Sequence, residues 1–80
     1  MFINKTADGR NNLCGTHIAA LRKQLQLSQR MFADRLQLAG LEIEKNAVQR
    51  IECGKRFVTD IELKTIAEVL GVPVGDLLLP

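Results

Sequence analysis

Apolar residues recur at helical spacing along most of the chain. Ile18, Leu21 and Leu25 are separated by three and four positions, and Leu27 closes this first segment, which begins near Gly15. No stretch shows the strict alternation that is typical of a half-buried strand. The pattern therefore predicts an all-α fold of five short helices in a compact domain.

Capping residues and glycines divide the middle of the chain into two further helices. Ser28 is a good N-cap for a second helix that runs to about Leu38, and Gly40 breaks the pattern. A third helix is predicted over residues 44–53, with Gly54 as the glycine that ends it. The inward apolar positions of these two helices are Phe32, Ala33, Leu36, Ala47, Val48 and Ile51.

Two more helices complete the predicted fold. Residues 59–62 (TDIE) have the sequence of a capping box, so a fourth helix begins there and ends at Gly71. Pro73 begins a short fifth helix, after which Leu79 is expected to point away from the core. The predicted inward positions are Leu63, Ile66, Ala67 and Leu70 in the fourth helix, and Val74, Leu77 and Leu78 in the fifth.

The first thirteen residues are polar and contain the turn signals Asp8-Gly9 and Asn11-Asn12. We therefore expect residues 1–13 to be a flexible N-terminal arm and residues 14–80 to be the folded domain.

Composition excludes several classes of function. The chain has three Phe, no Trp and no Tyr, so it lacks an aromatic platform for single-stranded nucleic acid. One histidine, His17, and two cysteines, Cys14 and Cys53, cannot supply the four ligands of a closed zinc site. No triad of nucleophile, base and orienting group can be assembled, so we expect neither an enzyme nor a cofactor or metal.

The same inventory bears on where the protein is found. No apolar run approaches the length of a membrane span, and the first residues lack the apolar region of a secretory signal. We therefore expect a cytoplasmic protein without a membrane partner and with reduced thiols.

The third helix has an unusual polar face. Its outward arc lacks acidic groups, and Glu52 lies at the edge of that arc. Arginine and lysine bind guanine edges, whereas asparagine and glutamine bind adenine edges. The outward residues are Lys45, Asn46, Gln49, Arg50 and Cys53.

Groups suited to phosphate flank this helix on both sides. Ser28, Gln29 and Arg30 lie at the start of the second helix, where free N–H groups attract anions. Lys55 and Arg56 follow the third helix in a loop. The pattern favours contact with a nucleic-acid duplex, although a basic surface without a partner remains the alternative.

These residues resemble the lambda-repressor/Cro type of helix-turn-helix, the XRE family. The resemblance covers about residues 13–79 and is carried by IAALRK at 18–23, LSQ at 27–29 with FA at 32–33, VQRIECGKR at 48–56, and LKTIAEVLGV at 63–72. It implies a five-helix domain that places its third helix in the major groove of DNA.

The resemblance also implies roles for individual residues. Lys45, Asn46 and Arg50 match base-reading positions, with Gln49 adjacent to them. Gln29, Lys55 and Arg56 match phosphate contacts. Arg22 and Glu52 match a partly buried ion pair between the first and third helices.

Two features depart from the family pattern. The connection over residues 37–44 is about five residues longer than the compact family turn, so either the second helix is extended or a true loop follows it. This segment places Glu42 and Glu44 near the start of the third helix, where they would repel phosphate. Cys53 is the other departure, and is either a redox switch or a tolerated surface cysteine.

We therefore expect a sequence-specific regulator of transcription, a repressor that binds pseudo-palindromic duplex as a homodimer. The terminal leucines, Leu77 and Leu79, are the candidate dimer contacts. The alternative is a protein-interaction module, such as an antitoxin or a regulator subunit controlled by a protein partner. The net charge of +2 does not separate these alternatives, because the total hides an uneven distribution of charge. Residues 1–40 carry six basic and two acidic groups, whereas residues 41–80 carry five basic and seven acidic groups.

Overall fold

Five α-helices follow one another in the computed structural model, which describes residues 5–79. They are α1 (Gly15–Gln24), α2 (Gln29–Leu38), α3 (Lys45–Glu52), α4 (Asp60–Leu70) and α5 (Gly75–Leu78). No strand occurs within residues 5–79. The predicted all-α fold is confirmed, with each helix close to its predicted position.

The predicted capping residues begin and end these helices. Ser28 Oγ accepts a hydrogen bond of 3.0 Å from the Met31 N–H at the start of α2. Thr59 and Glu62 form the complete capping box of α4. Gly71 ends α4 in the left-handed conformation, with φ of +74°. Local sequence therefore determines these boundaries.

The helices enclose one apolar core. α3 packs on both α1 and α2, while α5 packs on α1 and α4 packs on α2. The core therefore supports α3 from two sides and leaves its remaining face open. The buried apolar side chains are Cys14, Ile18, Leu27, Phe32, Ala33, Leu36, Ile43, Val48, Ile51, Ile66, Ala67, Leu70 and Leu77.

Two apolar positions of the predicted helical pattern lie outside the core. Leu25 is 48% exposed, because α1 ends at Gln24 and the chain turns at Gln26, whose φ is +59°. Leu27 occupies the core beyond that turn. Leu78 is also exposed, because α5 is a single turn and presents only one face, that of Leu77, to the core.

The long connection between α2 and α3 is a loop rather than an extension of α2. Gly40 turns the chain with φ of +95°. The loop then returns to the domain, where Gln37 Nε2 donates to the Ile43 carbonyl at 3.0 Å. Ile43 is only 1% exposed, so this side chain holds the loop against the core. The sequence reading did not include Ile43 among the core residues.

The segment that precedes α1 differs from the predicted flexible arm over the residues described. Residues 10–12 hydrogen-bond to the C-terminal end of α3, as detailed below. Asn12 is buried, and Thr6 and Arg10 exchange backbone and side-chain hydrogen bonds. The packed domain therefore begins before residue 14. The remainder of the predicted arm, residues 1–4, and the last residue of the predicted domain lie outside the described residues.

Candidate nucleic-acid interface

The outward face of α3 carries the four residues that the sequence singled out. Lys45, Asn46, Gln49 and Arg50 are all exposed. Val48, on the opposite face, is buried in the core. The helix therefore presents a row of two cations and two amides, the side-chain types that bind base edges.

Arg22 and Glu52 form an ion pair that joins α1 to α3. Arg22 Nε lies 2.7 Å from Glu52 Oε2, and its second contact, from NH2 to Oε1, is 3.0 Å. Their side chains are 10% and 8% exposed. Arg22 NH1 also donates to the Leu27 carbonyl at 2.7 Å. The guanidinium thus connects α3 to the turn between α1 and α2.

Gln29 is closely tied to this ion pair. Its Nε2 donates to Glu52 Oε1 at 3.1 Å, and the residue is half-buried at the start of α2. Ser28 Oγ is occupied by the N-cap bond, whereas Arg30 is exposed beside them. Of the three predicted phosphate contacts here, Ser28 and Arg30 are exposed and Gln29 is half-buried, and Arg30 is the cation among them.

The two cations of the loop after α3 differ in their surroundings. Lys55 is exposed. Arg56 is half-buried and forms a two-pronged pair with Glu62, with N–O distances of 3.1 and 2.8 Å. These hydrogen bonds hold the pKa of the Glu62 carboxyl below its ordinary range. Arg56 therefore stabilises the start of α4, a contact that sequence reasoning missed because the two residues belong to different elements.

Residues 10–12 form a second contact that the sequence reading missed. Arg10 NH2 donates to the Glu52 carbonyl at 2.7 Å, and Asn11 Nδ2 donates to the Lys55 carbonyl at 2.9 Å. Asn12 Nδ2 donates to the carbonyls of Ile51 and Arg56. We call residues 10–12 the clamp. The sequence signal that could have revealed the clamp is the run of three side chains with several hydrogen-bond donors shortly before the first helix.

An acidic groove adjoins the start of α3. It has a volume of about 640 Å³ and is lined by Gln37, Glu42, Glu44 and Ala47. Glu44 is the N-cap of α3, but its side chain makes no capping bond. The negative charge expected near this end of the helix is therefore exposed at the edge of the basic row.

The cysteines lie in different environments. Cys14 is buried in the core, and this burial raises the pKa of its thiol. Cys53 is exposed after α3, with its Sγ 3.5 Å from the Arg50 carbonyl oxygen. His17 Nε2 contacts the Leu79 carbonyl. Within residues 5–79, no three His, Cys, Asp or Glu residues come together as a metal site.

Helix length also bears on membrane association. Among the described residues, no helix is both long enough and apolar enough to cross a bilayer.

Comparison with known proteins agrees with the all-α helix-turn-helix fold. The family model described as Helix-turn-helix (HTH_3) matches residues 18–77. Among solved structures, the chain is similar to the restriction-modification controller protein C.AhdI from Aeromonas hydrophila. The two share 28% sequence identity with a TM-score of 0.66, over 79% of this chain and 84% of that protein. No curated protein sequence matches the chain significantly.

Proposed function

Because the chain belongs to the helix-turn-helix family of DNA-binding transcriptional regulators, we propose that it recognises a specific duplex sequence with α3 and acts as a repressor. In this docking mode the second helix of the motif lies in the major groove while the first crosses the backbone. In this protein those helices are α3 and α2, respectively. The cytoplasm is the location proposed for such a regulator.

The exposed row on α3 is the observation that carries this proposal. Lys45, Asn46 and Arg50 are proposed to read base edges, with Gln49 beside them. Both neighbouring helices and the buried ion pair support α3 from behind. A rigid support matters because a hydrogen bond to a base weakens steeply when its angle is poor.

Phosphate contacts are proposed for both flanks of the row. Arg30 and Lys55 are exposed cations there, while Ser28 and Gln29 belong to the helix start that would face a phosphate. Arg56 contributes less in this proposal than the sequence reading expected, because Glu62 already pairs with its guanidinium. These contacts would supply affinity that is independent of sequence.

The decisive experiment compares a duplex selected by the protein from a random pool with an unrelated duplex. We expect affinity for both to fall as salt rises, because neutralised phosphates release counterions. Arg50→Ala should cost about 1–3 kcal/mol on the selected duplex and relax one base position. Lys64→Ala, which removes an exposed cation from α4, is the matched charge control. Affinity that does not depend on salt would contradict DNA binding.

A homodimer is proposed for binding a pseudo-palindromic site. Leu77 is wrong as a dimer contact, because it is buried in the core of its own chain. Leu79 is 59% exposed and lines a shallow depression with Leu13 and His17. We therefore place the proposed dimer contact around Leu79.

The dimer is tested by measuring mass in solution. Leu79→Asp should shift the protein from dimer to monomer in sedimentation. Ile61→Asp, at another exposed apolar position on α4, is the matched control. Dissociation by the Ile61 variant alone would move the interface to α4. If the wild-type protein is a monomer both free in solution and on the duplex, the result would instead favour the alternative, in which a protein partner controls the regulator.

A further inference from the structure

We infer that the clamp, residues 10–12, positions the recognition helix and thereby sets how strongly the protein distinguishes its target sequence from other DNA. This inference rests on the proposed function of α3. The clamp residues are positioning residues, because the hydrogen bonds described here join them to the backbone around the end of α3.

The clamp residues donate hydrogen bonds to most of the backbone carbonyls at the end of α3 and in the loop that follows it. The Asn11 N–H donates to the Gly54 carbonyl at 2.8 Å. With the three side chains described above, the clamp supplies a donor to five carbonyls between Ile51 and Arg56. Two of these carbonyls, those of Ile51 and Glu52, lie in the last turn of α3, where the helix no longer supplies its regular N–H partners. The other three lie in the loop that follows. At all five carbonyls the clamp supplies donors whose position is determined by the domain.

Close packing makes this attachment rigid. The Arg10 side chain lies directly over Gly54, where an added Cβ would be 2.8 Å from Arg10 Cζ. Gly15 approaches α3 more closely still, since a Cβ there would be 2.1 Å from the Ile51 carbonyl oxygen. Asn12 Oδ1 accepts from the Gly15 N–H at 2.8 Å, so the start of α1 is held in the same cluster. The end of α3 is thus fixed relative to α1.

The location of the clamp gives it a functional consequence. The carbonyls that it binds belong to the backbone that carries Arg50, Cys53 and Lys55 on its outer side. A shift of the helix end by a fraction of an ångström would misalign a base contact, since functional groups must be held within about 0.5 Å of productive geometry. The same shift would barely change phosphate attraction, which is long-ranged and independent of sequence. Loss of the clamp should therefore lower specificity more than general affinity.

The test measures the ratio of affinities for the selected duplex and an unrelated duplex of equal length. The 80-residue wild type, Asn11→Ala and Arg10→Ala are compared by fluorescence anisotropy, at a temperature at which circular dichroism shows each to be folded. Asn11→Ala removes one side-chain hydrogen bond and keeps the backbone bond to Gly54, so it should fold. Lys5→Ala, which removes an exposed cation outside the clamp, is the control for Arg10→Ala.

We expect the ratio to fall at least threefold in both clamp variants, to stay unchanged in the Lys5 control, and to recover partly in Arg10→Lys. A purely structural role would lower both affinities in proportion to the unfolded fraction and leave the ratio unchanged. Ratios within threefold of wild type in both clamp variants would overturn the inference. A wild-type ratio near one would instead overturn the proposed function itself.

Discussion

The buried ion pair between Arg22 and Glu52 allows a sharp test of how the helices are held together. Replacing Arg22 with alanine removes three hydrogen bonds, two to Glu52 and one to the Leu27 carbonyl. The Glu52 carboxylate would then remain in a site where its side chain is 8% exposed, with Gln29 as its remaining side-chain donor among those described. The variant therefore leaves a desolvated charge without its partner.

The cost of that stranded charge is large relative to the stability of the domain. Breaking a buried pair by removing one partner typically costs about 3–5 kcal/mol. A chain of 80 residues has a total stability of roughly 4–12 kcal/mol. Since each kcal/mol shifts the melting temperature of such a domain by about 4–8 °C, we expect Tm to fall by roughly 12 °C or more.

Thermal melting followed by circular dichroism measures this shift, with binding tested well below Tm. In Arg22→Met/Glu52→Met both charges are absent, so the double variant should recover much of the lost stability, as apolar replacements of buried pairs often do. An Arg22→Ala protein that melts within about 4 °C of wild type yet fails to bind DNA would refute this reasoning. It would assign Arg22 to the DNA interface instead.

Three further predictions follow from close packing and charge. Gly15→Ala should lower the free energy of unfolding by about 1–3 kcal/mol, because the new Cβ would meet a backbone oxygen of α3 at 2.1 Å. Gly75→Ala is the control and should be tolerated, because a Cβ there meets nothing within 4 Å. Equal melting temperatures for the two variants would contradict this prediction. Ile43→Ala should cost about 2–5 kcal/mol in urea unfolding, against less than about 0.5 kcal/mol for exposed Ile61→Ala, and matching values would remove the loop from the core. The pKa of Glu62 is held below its ordinary value of 4.5 by its hydrogen bonds to Arg56. The stabilising contribution of the Glu62 carboxylate is therefore complete above about pH 4.5 and is lost as pH falls through the lowered pKa. Glu62→Gln should melt at a lower temperature than wild type at pH 7, and the difference in Tm should narrow by pH 3.

Local patterns in the amino-acid sequence are sufficient to predict the helices and the face that α3 presents to solvent. Both follow from local rules, since a helix of 3.6 residues per turn places Asn46 and Arg50 opposite Val48 whatever surrounds it. The caps at Ser28 and Thr59 act within four residues, so they can be read without a structure. The partnership of Arg22 with Glu52 was available only through family resemblance, since thirty residues separate them.

Which polar groups remain available to a ligand depends instead on how the helices pack against one another. The sequence predicts that Arg56 and Gln29 contact phosphate. In the structure the Arg56 guanidinium pairs with Glu62, and the Gln29 amide donates a hydrogen bond to Glu52. The exposure of Leu25 and the burial of Ile43 depend on where the chain turns, which helical periodicity does not specify.

The clamp is the clearest example of a feature that the sequence pattern does not predict. Residues 10–12 read as a polar arm because polar residues with turn signals usually face water. Their partners are carbonyls about forty residues away, at the end of α3. A backbone carbonyl has no sequence signature, since every residue carries one. Only the packing of α1 against α3 brings donors and acceptors together, and so only the folded structure reveals that this segment is attached to the end of α3.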